Sequence, residues 1–239
     1  MAPALDATSD APAATDRRTR RRRETIDEIL AIAVDVMTED GVNGLRLSEV
    51  ARRLGVKPPS LYKYFDSLHA MYNELFRRGQ LEHLEVMRAA TATAPPGLAA
   101  LRAGLDASGR WCLQNRAVAQ LLFWRPVPSF EPSPDAFDPS EAMVELERRC
   151  VADAIAAGEL GARAAHADDA VYLASTLLTG VLSQALANEP GLRWGEGRFT
   201  PMFPRLLDML PTLYPATSGN RSARSGSARA RQANPARSD

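Results

Sequence analysis

An all-α fold follows from three features of the sequence. Apolar residues recur at helical spacing along most of the chain, no segment alternates apolar and polar residues over more than a few positions, and glycines and prolines stand at the ends of the apolar stripes. With 239 residues, 45% of them apolar, the chain can bury a sizeable core in one large domain or two smaller ones.

The first apolar stripe is Ile26, Ile29, Leu30, Ala33, Val34 and Met37. It marks one face of a helix that starts near Thr25, and Gly41 is a natural end for it. Val50, Ala51 and Leu54 form the inward face of a short second helix that Gly55 ends. Pro58 and Pro59 suit the first turn of a third helix, about 58–64, where their missing N–H groups are not needed. Ser67 is placed to cap a fourth, with Leu68, Met71, Tyr72, Leu75 and Phe76 on one face, running to about Ala90. After the break at Pro95-Pro96-Gly97, helices are expected over about 98–115, 117–124, 140–157, 167–188 and 201–213. Residues 126–139 hold five prolines and read as a long loop. Residues 1–16 and 216–239 are small and polar and read as disordered. The expected organisation is a disordered basic arm over 1–23, a first helical domain over 24–80, a second all-helical domain over 81–215 and a basic tail over 216–239.

The formal net charge is zero, so charge as a whole names no partner. Its distribution is uneven. Residues 1–80 carry 13 basic and 12 acidic side chains, 81–215 carry 11 and 16, and 216–239 carry five and one. Arg17, Arg18, Arg20, Arg21, Arg22 and Arg23 form one concentrated run, suited to phosphate contact or to a solvated tail. Cys112 and Cys150 do not form a close-spaced pair, and His69, His83 and His166 have no partner at metal spacing. No metal, cofactor or disulfide framework is expected. Nucleophile-elbow, glycine-rich phosphate-loop and paired-cysteine motifs are absent, so no enzyme is expected. There is no secretory signal pattern and no apolar run near the roughly 18 residues of a membrane span. A cytoplasmic protein with no membrane partner is the expectation.

The stretch Leu45–Phe65, LRLSEVARRLGVKPPSLYKYF, carries the function. Ala51 is small where two helices must approach. Gly55 falls at the turn, where a left-handed conformation is cheap only for glycine. Leu61 can plug the gap between the helices. This Ala/Gly/Leu spacing is that of a helix-turn-helix. Its context, from the amphipathic first helix through Val50-Ala51, Leu54-Gly55-Val56 and Leu61-Tyr62-x-Tyr64-Phe65 to Leu75-Phe76, resembles the N-terminal domain of TetR-family regulators over Ile26–Phe76. Leu121–Pro128 (LLFWRPVP) and Leu186–Pro190 (LANEP) resemble more loosely the C-terminal domains of one TetR branch. Three positions depart from the family. Arg46 stands where Ser or Thr commonly caps the second helix, leaving Ser48 as a substitute cap. Lys57 replaces a common serine cap of the recognition helix. Leu68, beside His69, replaces a lysine.

The resemblance implies double-stranded operator DNA as a partner and Arg46, Ser48, Lys57, Pro58, Pro59, Ser60, Tyr62, Lys63 and Tyr64 as the DNA-binding set. Tyr62 and Tyr64 are expected at phosphate, Ser60 and Lys63 at base edges, and Pro58 or Pro59 on a thymine methyl. The arginine run is expected in a minor groove or along the backbone. It further implies a homodimer through helices 140–157 and 167–188, and a small-molecule effector that releases the operator. Trp111, Gln114, Asn115, Phe123, Trp124, Met143 and Tyr172 combine apolar surface with a few polar groups and are the effector candidates, although aromatics at helical spacing also serve as plain core. The competing expectation is a constitutive DNA-binding protein whose C-terminal domain only dimerises.

Overall fold

The computed structural model describes residues 11–216, and every regular segment among these is helical. The helices are α1 (Ala11–Asp40), α2 (Leu47–Leu54), α3 (Leu68–Thr93), α4 (Leu98–Gln114), α5 (Arg116–Phe123), α6 (Asp138–Ala157), α7 (Asp169–Asn188), α8 (Phe203–Leu207) and α9 (Leu210–Leu213). Short 3-10 turns cover Val42–Gly44, Pro58–Lys63, Pro134–Phe137, Ala162–Asp168 and Thr200–Met202.

The chain forms two compact units. The first joins the N-terminal part, through Gln80, to residues 115–137; the second holds 81–114 and the remainder from Asp138. Residues 115–137, expected within the 81–215 domain, lie in the same unit as the N-terminal part. Packing explains this. Gly79 of α3 lies so close to α5 that an added Cβ would come within 2.6 Å of Val118. Beyond α5 the chain is pinned to α3: Asn73 donates to Ser133 Oγ at 2.9 Å and accepts from the Ser133 N–H at 2.8 Å. Phe130 packs on Tyr72, with ring centroids 5.5 Å apart, and Phe137 meets Phe76 edge-on at 5.1 Å. The expected long loop thus ends early, because Pro134 opens a 3-10 turn and Pro139 fits the first turn of α6.

The core of the first unit is Ile29, Ala33, Val36, Leu45, Val50, Ala51, Leu61, Met71 and Phe76, all fully buried. Tyr72, 1% exposed, sends its hydroxyl to the Val42 carbonyl at 2.5 Å, satisfying both groups. The expected arm differs from what is found. Residues 11–16, expected to be disordered, and the arginine-rich 17–23 are all helical in α1, and no glycine or proline interrupts 17–23. Residues 1–10 and 217–239, which include most of the two expected disordered ends, lie outside the described residues.

In the second unit α4 packs against α6 and α7. Trp194 covers Gly109 of α4 so closely that no larger residue fits there, and its indole N–H reaches Asp106 at 2.7 Å. The expected single last helix is three short pieces, since Pro201, Pro204 and Pro211 each restart a turn. The stretch Ala162–Asn188 is long and apolar enough by composition to cross a membrane, unlike the sequence expectation. It is not one helix: Ala167 and Asp168 adopt positive φ and separate a 3-10 turn from α7.

A buried histidine and a buried glutamate mark this unit. His83 bonds Ser108 Oγ at 2.7 Å and stacks on Trp111, and burial pulls its pKa down to about 4. Glu147, on α6, accepts from Ser175 of α7 at 3.2 Å, and burial pushes its pKa up to about 7. An acid whose folded pKa is raised contributes stability that is complete below its unfolded value, near 4.5, and lost as pH rises through 7. Replacing Glu147 by Gln should therefore stabilise the chain progressively from pH 4.5, levelling off above pH 7 at on the order of 3 kcal/mol. Thermal denaturation of both proteins across that range checks it; a difference independent of pH contradicts it.

Candidate nucleic-acid interface

The turn between α2 and the 3-10 segment Pro58–Lys63 is built on Gly55, at φ 73 and ψ 25. The Val56 N–H bonds the Ala51 carbonyl at 2.9 Å and the Gly55 N–H bonds Arg52 at 3.2 Å. This paired pattern closes the end of α2 and reverses the chain in two residues. Pro58 and Pro59 then start the next segment with Lys57 as its N-cap. Leu61, fully buried, is the plug that the spacing predicts, and Phe65 is buried beyond it.

With Leu61 inward, the rest of the segment faces out. Lys57, Pro58, Pro59, Tyr62 and Lys63 are exposed and Ser60 is half-buried. Tyr62 is 55% exposed and takes no part in the core. Tyr64 is half-buried, with the guanidinium of Arg22 over its ring at 5.2 Å. These seven of the nine expected DNA-binding residues occupy one short, continuous, cationic surface.

The other two flank α2. Arg46 is its N-cap residue but makes no capping bond; its guanidinium donates to the Asn43 and Leu45 carbonyls at 2.6 and 2.9 Å. Ser48 does not cap, because the helix begins at Leu47 and Ser48 already lies inside it. By contrast Ser67 does cap α3, accepting from the Ala70 N–H at 3.0 Å.

Two further arginines near the site are engaged elsewhere. Hydrogen bonds from Arg52 and then Arg53 hold Glu49 at about 2, and Arg53 also bonds Glu39 of α1 at 2.7 Å. This chain of ion pairs fastens α2 to α1. Sequence reasoning missed it because Glu39 and Arg53 are 14 positions apart in sequence. It also missed the tie between Arg22 and the end of the 3-10 segment, which crosses 41 positions.

The effector candidates do not fall in one unit. Trp111 and Met143 are buried in the second, where Gln114 and Tyr172 are exposed. Trp111 donates to Glu82 at 3.1 Å. Asn115, Phe123 and Trp124 belong to the first; Phe123 and Trp124 meet edge-on at 5.9 Å. Among the described residues no cluster of His, Cys, Asp or Glu is arranged to hold a metal.

Residues 29–75 match the family model described as bacterial regulatory proteins, tetR family. The chain is 37% identical over 51 residues to the uncharacterized HTH-type transcriptional regulator YobS of Bacillus subtilis (strain 168), a match covering 21% of this chain. It spans about a quarter, 27%, of that relative's length. A protein of unknown function from Rhodococcus sp. RHA1 shares the fold, with a TM-score of 0.65 and 23% identity over 80% of this chain and 95% of that one. So does the transcriptional regulator FadR from Bacillus subtilis, in complex with stearoyl-CoA, with a TM-score of 0.60 and 14% identity over 77% and 96% of the two chains.

The Gly55 turn yields a direct test. No atom crowds a Cβ built there, so only backbone strain opposes substitution. Gly55→Ala should cost about 1–2 kcal/mol, and Gly55→Asn clearly less, because asparagine tolerates the left-handed region. Chemical denaturation of the three proteins measures this, and equal stabilities would contradict it. The part of this chain that holds the Gly55 turn and the segment Pro58–Lys63, residues 29–75, is thus similar to the tetR family of bacterial regulatory proteins.

Proposed function

We propose that the protein is a transcriptional repressor that binds operator DNA as a homodimer and is released by a small-molecule effector. The observation that carries the DNA-binding part is the segment Pro58–Lys63, with Leu61 buried and Lys57, Pro58, Pro59, Tyr62 and Lys63 all turned to solvent. In this reading the exposed face enters the major groove. Lys63 and Ser60 reach base edges, Tyr62 and Tyr64 reach phosphate, and the prolines pack on a thymine methyl. Arg46, Ser48 and Lys57 add backbone contacts, Arg46 by giving up its carbonyl partners.

Dimerisation rests on α7. This apolar helix leaves Tyr172, Thr176 and Gly180 exposed and Leu173 and Leu177 half-buried. A second copy covering that face, together with α6, would set two recognition segments about 34–36 Å apart, matching successive major grooves. The effector is an apolar small molecule held in the second unit near Trp111 and Met143. The stearoyl chain of the stearoyl-CoA carried by the structural neighbour FadR is in line with that class. Effector and operator must oppose each other reciprocally, typically about 5–150-fold. If fatty acyl-CoA and fatty-acid panels never change the melting temperature or the DNA affinity, the protein is instead a constitutive binder that only dimerises.

The decisive variant is Lys63→Ala. Against a duplex selected by the parent protein from a random library, binding should weaken by about 1–3 kcal/mol if Lys63 reads a base, with a smaller loss on scrambled DNA. A variant that binds both duplexes as the parent does would show that this segment does not meet DNA.

A further inference from the structure

We propose that Arg22 is a positioning residue for DNA recognition, bracing the recognition segment from α1 instead of contacting phosphate. This rests on the reading of Pro58–Lys63 as the DNA-reading element. That element is six residues of 3-10 helix. Hydrogen bonding in such a turn is weak, and so short a helix has no stability of its own. Its C-terminal end is held by two amides, Tyr64 and Phe65, that both bond the Leu61 carbonyl, at 2.8 and 3.0 Å. The carbonyl of Lys63 is one of the terminal acceptors that a helix leaves unsatisfied. Arg22 supplies the donor: its Nη1 bonds that carbonyl at 2.9 Å. The same guanidinium lies over the ring of Tyr64 at 5.2 Å. One planar group thus grips both the last residue of the segment and the residue after it. Lysine cannot reproduce this, because it has no flat face to stack while donating a bond.

The neighbouring arginines differ. Arg20 pairs with Glu24 within α1, at 3.6 Å. Like Arg22, Arg18, Arg21 and Arg23 are exposed, but unlike it they have no side-chain partner among the described residues. The arginine run therefore divides by function. Arg18, Arg21 and Arg23 remain available to phosphate, while Arg22 is spent on geometry.

The test compares Arg22→Ala, Arg22→Lys, Arg18→Ala and Lys63→Ala in the full chain. The probes are a duplex selected by the parent from a random library and a scrambled duplex of equal length, each over a range of salt. Arg22→Ala should lose about fivefold to tenfold in affinity for the selected duplex and little for the scrambled one. Its salt slope should stay that of the parent, and Arg22→Lys should not restore affinity. Hydrogen exchange of the free protein should show the Tyr64 and Phe65 amides exchanging faster in Arg22→Ala. Arg18→Ala should instead weaken both duplexes and reduce the salt slope by about one unit.

The proposal is overturned if Arg22→Ala binds the selected duplex as tightly as the parent. It is equally overturned if that variant loses affinity for both duplexes with a reduced slope, or if Arg22→Lys restores full binding; each of these makes Arg22 an ordinary phosphate contact. Unchanged binding by Lys63→Ala would instead overturn the reading of the segment itself, whatever Arg22 does.

Discussion

The reversal at Gly55 governs what the N-terminal part of this protein can do. In two residues the chain must leave α2, satisfy the last carbonyls of that helix and set off in a new direction with Leu61 pointing inward. The left-handed glycine makes this possible, and the bonds from Val56 and Gly55 to Ala51 and Arg52 lock it. Once Leu61 is seated in the core, a six-residue helix has no freedom left to choose its outer face. Lys57, Tyr62 and Lys63 are presented to solvent because of where Leu61 is buried. The exposed chemistry is thus a consequence of the buried packing.

A short element held at one end only would still fray. The surrounding contacts act against this. α1 approaches α2 through the Glu39–Arg53–Glu49 ion pairs. Tyr72 of α3 ties back to Val42 just before α2. Residues 115–137 close over α3 through Gly79, Asn73 and two aromatic pairs. The unit that carries Pro58–Lys63 is therefore assembled from two separated stretches of chain. The chain passes between the two units at residues 80–81, 114–115 and 137–138. In the proposed function α3 is then not the sole covalent route for an effector signal, since α5 and the strand of chain after it provide two more.

Much of this was legible in the sequence, for physical reasons that can be named. Helical apolar periodicity located α1 through α4 to within a few residues, except at the start of α1. The Ala51, Gly55 and Leu61 spacing placed the turn and its plug, and Ser67 was readable as a cap. What escaped notice depends on contacts between distant positions. Residues 115–137 looked like part of the second domain, since nothing local reveals that Val118 packs on Gly79 or that Ser133 pairs with Asn73. The arginine run looked like an unstructured arm, since charge alone does not show that Arg22 finds a carbonyl 41 positions away. The aromatic candidates for an effector site were chosen by residue type, and the fold distributes them over both units. Some prolines were misread in both directions: Pro134 and Pro139 begin a turn and a helix where a loop was expected, while Pro204 and Pro211 break into short pieces what was expected as one helix.

The central claim is that DNA meets this protein through the outer face that buried Leu61 imposes on Pro58–Lys63. Hydrogen exchange measured by mass spectrometry, with and without a duplex selected from a random library, tests it across the whole chain at once. The account predicts strong protection on DNA binding in peptides covering residues 45–65, with weaker protection at 17–23, and no comparable change in peptides from α6 or the 3-10 turn before α7. Protection concentrated elsewhere, with residues 57–64 exchanging as fast as in the free protein, would contradict it.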